Sequence, residues 1–307
     1  MKSLLLAMIF VCGLAANIAW SQESDAFVDV GGGDRLHFHI LKGRGMPILF
    51  EAGGGDDATV WATIAKPVWN ITDATIITYD RAGFGKSELN ASEHAIDKHG
   101  IRHGVEELEE ALKRLGYSGR MVLVAHSYGG LYAKLFAARH PDLVKAAVFV
   151  DASSACWFTD EWLKNFEKNE QGTKKPNSVN LGNYYQSANL PATVELMRTT
   201  PFPSTIPVID LVSEHPPFSN AEDIARWKEC HRQFVDAASN REGITAYESG
   251  HYIFKDNPPL VVNAIIKAYV GVAARQQADE IMRRAINYSI QLANDFKRQQ
   301  VAAAAPR

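Results

Sequence analysis

The chain has 307 residues, of which 46% are hydrophobic, 10% aromatic and 22% charged. That composition describes a globular protein with a sizeable core and excludes a disordered, collagen-like or multi-span membrane protein. With 32 Lys and Arg against 35 Asp and Glu there is no basic surplus to neutralise a phosphate backbone, so nucleic acid is not an expected partner.

At roughly 100–200 residues per domain, this length allows one large α/β domain or two modest ones. Residues 1–21 stand apart from either. Lys2 is followed by an apolar run from Leu4 to Leu14 and by small residues at Ala19 and Ser21, the three parts of a secretory signal peptide. Cleavage is expected after Ser21, giving a periplasmic or secreted protein. A membrane anchor would need about 20 apolar residues, so no stable membrane insertion is expected. Cys12 would leave with the signal. Cys156 and Cys230 would remain in an oxidising compartment, either paired or as buried thiols, with pairing the first expectation.

Beyond the signal, apolar strands alternate with helices. Strand character marks Arg35–Leu41, Pro47–Ala52, Ala74–Asp80, Met121–Ala125, Ala146–Val150, Pro207–Val212 and Ile244–Tyr247. Helices are predicted at His103–Leu115, where Val105, Leu108, Leu112 and Leu115 share a face, at Tyr128–Arg139 and at Leu260–Val270. The alternation predicts an α/β fold, with a mostly parallel central sheet flanked by helices. The predicted core comprises residues 22–151 and 205–272. Residues 152–204 are polar and aromatic without an apolar strand, and a structureless loop of that length is uncommon in a compact domain. A small helical lid over the site is therefore expected there. Residues 273–307 read as an amphipathic helix, with Ile281, Ala285, Tyr288, Leu292 and Phe296 at helical spacing, and an Ala-rich tail. Its apolar face would pack on its own domain or on a sister subunit in a homodimer.

The segment Val124–Gly130 reads Val-Ala-His-Ser-Tyr-Gly-Gly where a strand becomes a helix. A serine on such a sharp turn projects its hydroxyl above the sheet edge, and the residues two away must be small. Ala125 stands where the G-x-S-x-G elbow has its first glycine. The Tyr128 N–H at the helix start and an N–H of the Gly53-Gly54-Gly55 run, Gly54 foremost, could hold a developing oxyanion. His251, just past the last strand, supplies a candidate base. Two carboxylates compete for the third position: Asp151 at the end of Ala146–Val150, the first choice, and Glu214 after Val208–Val212.

These motifs together resemble the α/β-hydrolase superfamily, most closely bacterial serine hydrolases and esterases. They stand at Glu51–Gly55, Asp80–Ser87, Ala125–Gly130, Val150–Ser153 and Ser249–His251, in the order serine, acid, histidine that this fold uses. The resemblance covers about residues 25–272 and departs at Ser213–Pro217, where the commoner acid position carries no aspartate. It implies the α/β-hydrolase fold and Ser-His-acid cleavage of a small ester, thioester, lactone or amide through an acyl-enzyme, without cofactor or metal. Dehalogenases and epoxide hydrolases of this fold use an aspartate nucleophile, so Ser127 counts against both. A catalytically silent small-ligand-binding protein on the same fold is the competing reading. Such a binder has no need of Ser127, His251 and the glycine loop at once.

Three other signals are read as structural. Gly83–Ser87 ends like a phosphate loop, but Asp80 stands where its first glycine would be. His99 and His103 are four apart and lack an evident third metal ligand. His126 more plausibly shapes the elbow than titrates.

Overall fold

The computed structural model describes residues 22–90, 92–93, 95–170 and 181–304. The expected signal peptide and the last residues of the tail lie outside the described residues. The chain alternates strands and helices: β1 (Glu23–Gly31), β2 (Asp34–Leu41), β3 (Gly45–Glu51), α1 (Ala62–Thr72), β4 (Ala74–Asp80), α2 (Ile101–Arg114), β5 (Met121–His126), α3 (Gly129–Arg139) and β6 (Val144–Val150). Three helices follow, α4 (Asp160–Glu170), α5 (Leu181–Ala188) and α6 (Leu190–Arg198). The rest is β7 (Val208–His215), α7 (Ala221–Asp236), β8 (Arg241–Gly250), α8 (Ile253–Asp256), α9 (Pro258–Val272) and α10 (Arg275–Ala304).

All eight strands form one sheet in the order β1-β2-β4-β3-β5-β6-β7-β8. The pairs β1–β2 and β2–β4 are antiparallel and the other five are parallel. The central strands β3, β4, β5 and β6 read as largely apolar runs because both faces are covered, so successive side chains go to opposite cores. Leu49, Leu123 and Phe149 join α2, α3 and Trp227 of α7 on one face. Ile48, Phe50, Val122, Val124 and Val148 join α1, α9 and Ile281 of α10 on the other. Helix α10 thus packs on its own domain through Ile281, Ala285 and Tyr288, while Met282, Ile286 and Ile290 stay exposed. Among the described residues no helix is long and apolar enough to cross a membrane.

Three helices, α1, α7 and the short α8, and one strand, β1, arise where no element is predicted. Helix α1 carries Pro67 in its interior and ends on Asp73 in the left-handed region at φ 55°. Helix α7 is predominantly polar and exposed along its length, burying only Trp227, Cys230 and His231. Strand β1 is an edge strand with a mostly exposed face. The described part of 152–204 contains α4–α6 and no strand. A disulfide joins Cys156, just beyond β6, to Cys230 of α7, across 74 residues of sequence.

Candidate active site

Parallel strands present their C-terminal ends on one edge of the sheet, and the loops there gather residues distant in sequence. Ser127 follows β5, Asp151 follows β6 and His251 follows β8. Ser127 sits at φ 49° and Asp151 at φ 46°, left-handed conformations that non-glycine residues seldom adopt. The elbow is held in that geometry by its neighbours. The Ser127 N–H donates to the Val150 carbonyl at 3.4 Å, and the Ser127 carbonyl accepts from the N–H groups of Gly130 and Ser153, each at 2.8 Å. A Cβ on Gly129 would come within 2.3 Å of the Ala52 carbonyl oxygen, and one on Gly130 within 2.6 Å of the Ala152 Cβ. Both positions therefore require glycine.

The three side chains form one hydrogen-bonded line. Ser127 Oγ lies 2.8 Å from His251 Nε2, and His251 Nδ1 lies 2.7 Å from Asp151 Oδ2. Asp151 is fully buried. Its Oδ1 also accepts from the Ser213 N–H and from Trp227 Nε1, both at 2.9 Å, and its Oδ2 from the Ser213 hydroxyl at 2.8 Å. Burial pushes the Asp151 carboxyl up, but the hydrogen bond and charge of His251 and the Ser213 amide outweigh it. The net shift is downward, so the group stays an anion. Such a line can take the serine proton onto the imidazole and stabilise the resulting cation.

Glu214, the alternative acid, does not join this line. Side chains alternate along a strand, and Ser213 points inward to Asp151, so its neighbour in β7 points away. The Glu214 carboxylate is partly exposed and accepts from the Glu248 N–H at 2.7 Å. Asp210, inside β7, is buried and bound to His231 Nδ1 at 2.6 Å. Ser213 and Trp227 were missed in the sequence. The helical spacing of Trp227, Cys230 and Phe234 was the one signal that could have drawn attention to Trp227.

The glycine loop lies against the elbow. A Cβ on Gly54 would stand 3.3 Å from Tyr128 Cβ and 2.8 Å from Gln186 Nε2 of α5. One on Gly53 would stand 2.7 Å from His126 Nδ1. The N–H groups of Gly53, Gly54 and Tyr128 donate to no acceptor among the described residues. Tyr128 precedes the first turn of α3, whose dipole adds positive potential there. Helix α5 closes over this loop, with Gln186 above Gly54 and Gly182 against Gly83. A cavity of about 30 Å³, lined in part by Arg81, Tyr128, Tyr132 and Gln186, lies beside the elbow. A wider groove of about 530 Å³, lined by His37, His39, Trp61 and Lys66, includes none of Ser127, Asp151 or His251.

The motifs read as structural also find their places. His126 is buried between Trp61, Phe254 and His251, and its Nε2 donates to the His251 carbonyl at 3.0 Å. Burial and the neighbouring His251 push its pKa down to about 3, which keeps the ring neutral. Asp80 accepts from the N–H groups of Ala58 and Lys86 and pairs with His37, so the Asp80–Ser87 segment is tied around a carboxylate. His99 packs against Tyr185, the rings tilted by 37°, in a turn before α2, away from a shared helical face with His103. His103 instead lies near Asp34 and Glu107, with potential ligand atoms within 4.8 Å of one another. Burial and the Asp34 carboxylate push Glu107 up to about 9, so Glu107 is protonated and donates to Asp34.

A sequence model of the α/β-hydrolase fold matches residues 46–194. A Bacillus subtilis (strain 168) protein, YqjL, is 27% identical over 254 residues, covering 80% of this chain and 92% of its own. A 2-hydroxy-6-oxo-6-(2'-aminophenyl)hexa-2,4-dienoic acid hydrolase of Metapseudomonas resinovorans is 27% identical over 145 residues, 45% of this chain and 47% of that enzyme. Among solved structures, a thermophilic esterase from Thermogutta terrifontis superposes with a TM-score of 0.58 at 18% identity, covering 83% of this chain and 100% of that one. An epoxide hydrolase from Vigna radiata gives 0.59 at 15% identity, over 80% and 97%. At these identities the structural likeness speaks to the fold.

Proposed function

We propose that this chain, whose residues 46–194 match the α/β-hydrolase fold, is a serine hydrolase of that superfamily cleaving a small ester, thioester, lactone or amide. One observation carries the reading: the unbroken line Ser127 Oγ–His251 Nε2, His251 Nδ1–Asp151. In this reading Ser127 attacks the acyl carbon as His251 takes its proton, and Asp151 orients the imidazole and stabilises its cation. The Tyr128 N–H and the glycine-loop N–H of Gly54 hold the tetrahedral oxyanion. Collapse expels the alcohol, thiol or amine, which takes the proton back from His251. Water activated by the same imidazole then releases the acyl group. His126 supports the loop beneath and, held neutral, adds no charge to the site.

Epoxide hydrolases share the fold, but in that chemistry an aspartate attacks from the elbow, where this chain has Ser127. The segment 152–204, with α5 over the glycine loop, serves in this reading as the cap that shapes the acyl pocket. Export is part of the proposal. The Cys156–Cys230 bond supports it, because structural disulfides persist in oxidising compartments.

A fluorophosphonate probe tests the reading directly. Intact protein is expected to be labelled at Ser127, located by peptide mass spectrometry, with Ser127→Ala unlabelled and inactive on p-nitrophenyl acyl esters. A folded sample that resists labelling would leave the silent-binder reading standing.

A further inference from the structure

Two motif segments of the sequence, Glu51–Gly55 and Asp80–Ser87, meet at a buried ion pair that the acyl-transfer steps leave unused. Arg81 Nη1 donates to Glu51 Oε1 at 2.6 Å and to the Ala52 carbonyl at 2.7 Å, and Nη2 donates to the Gly53 carbonyl. Tyr79 donates its hydroxyl to the other oxygen of Glu51. The guanidinium carbon lies 5.1 Å from the ring centroids of both Phe84 and Tyr132, and the Arg81 Nε has no hydrogen-bond partner among the described residues. Burial works against this charge, but Glu51 beside it prevails and raises the Arg81 pKa.

Stability alone is a weak reason for such an arrangement, because desolvating two charges offsets most of their attraction. Its geometry offers a better one. A trans peptide is planar, with its C=O and N–H pointing in opposite directions, and there is no cis bond among the described residues. Holding the Ala52 carbonyl therefore fixes where the Gly53 N–H points, and holding the Gly53 carbonyl fixes the Gly54 N–H. Glycines leave these planes few restraints of their own. A hydrogen bond from a cation to a carbonyl also polarises that amide, making its N–H a stronger donor.

We propose that Arg81, braced by Glu51 and Tyr79, is a positioning residue that aims and polarises the Gly53 and Gly54 amides for the oxyanion. This rests on the serine-hydrolase reading, and Arg81 acts through the backbone rather than on the substrate. The planar fork is essential, since it reaches two carbonyls and a carboxylate at once. A lysine keeps the charge and loses that geometry.

The experiment compares wild type, Arg81→Lys, Arg81→Gln and Tyr79→Phe on p-nitrophenyl esters and against phenylboronic acid, which forms a tetrahedral anion on an active-site serine. Both Arg81 variants are expected to lose about 10- to 100-fold in kcat, with KM moving less than about threefold. Boronate affinity should fall in proportion to kcat/KM. Tyr79→Phe should show the same pattern more weakly. In wild type carrying 15N-glycine, boronate should move the Gly53 or Gly54 amide proton downfield.

A folded Arg81→Lys with kcat within about twofold of wild type would overturn the inference, as would a rise in KM alone. If the Arg81 variants do not fold, the unsubstituted protein still decides, because unmoved glycine amides refute the assignment. Wild type that binds no fluorophosphonate at Ser127 refutes the serine-hydrolase reading itself. Labelled wild type with unaffected Arg81 variants refutes only the role given to Arg81.

Discussion

Asp151 accepts four hydrogen bonds, from the Ser213 amide and hydroxyl, the Trp227 indole and the His251 imidazole. A carboxylate this well satisfied in a buried place stays ionised, and its charge is aimed at a single ring. Asp151→Asn should therefore lower kcat by about 10³–10⁴-fold, since the amide favours the wrong imidazole tautomer. Glu214→Gln, at a side chain that meets the Glu248 amide and His215 rather than His251, should stay within about twofold. Ester hydrolysis measured on both variants decides the acid, and the opposite ranking would return the role to Glu214. A second carboxyl titrates far from its usual range. Glu107 moves from 4.5 to about 9 through burial and Asp34, so the folded state holds a proton that the unfolded chain releases. Its contribution to stability is complete below pH 4.5 and is lost as the pH rises through 9, by about 1.4 kcal/mol per pH unit in between. Urea unfolding from pH 5 to 9 should show Glu107→Gln gaining on wild type as pH rises. A constant difference across that window would refute the shared proton.

At the level of elements, the parts with strong periodicity were legible in the sequence. Ala74–Asp80 forms a strand with the predicted bounds, Met121–Ala125 extends by one residue to His126, Ala146–Val150 begins two residues earlier at Val144, and Pro207–Val212 shifts to Val208–His215. Both-sided burial makes such runs conspicuous. Helix α7 was not legible, because a helix that buries Trp227, Cys230 and His231 along an otherwise polar surface has little apolar contrast. That helix nonetheless delivers an indole N–H to Asp151, and three residues later a sulfur to Cys156. The choice between Asp151 and Glu214 was equally hidden. It depends on which way β7 faces, a matter of register that Ser213 decides and local composition does not reveal. The disulfide anchors α7 beside β6, so Cys156→Ser with Cys230→Ser should lower the unfolding free energy by about 2–4 kcal/mol. Equal urea midpoints for this variant and wild type would mean that the bond adds no stability.

Over the whole molecule, the sheet brings Ser127, Asp151 and His251 to one edge, while α1, α9 and α10 cover one face and α2, α3 and α7 the other. Helix α5 lies above that edge, with Gly182 against Gly83 and Gln186 above Gly54. Where Gly129 meets the Ala52 carbonyl, two lengths of main chain touch with no side chain between them. The floor of the site is thus built largely from main-chain atoms that every amino acid shares, and mutation reaches it by breaking a glycine or by removing a side chain, such as Arg81, that braces the main chain. In the proposed reading, side chains above this floor help to select the acyl group, among them Gln186 of α5 over Gly54 and Asn183 over Gly55. On that reading, redrawing the helix would change what the site accepts and leave the main-chain floor beneath it in place.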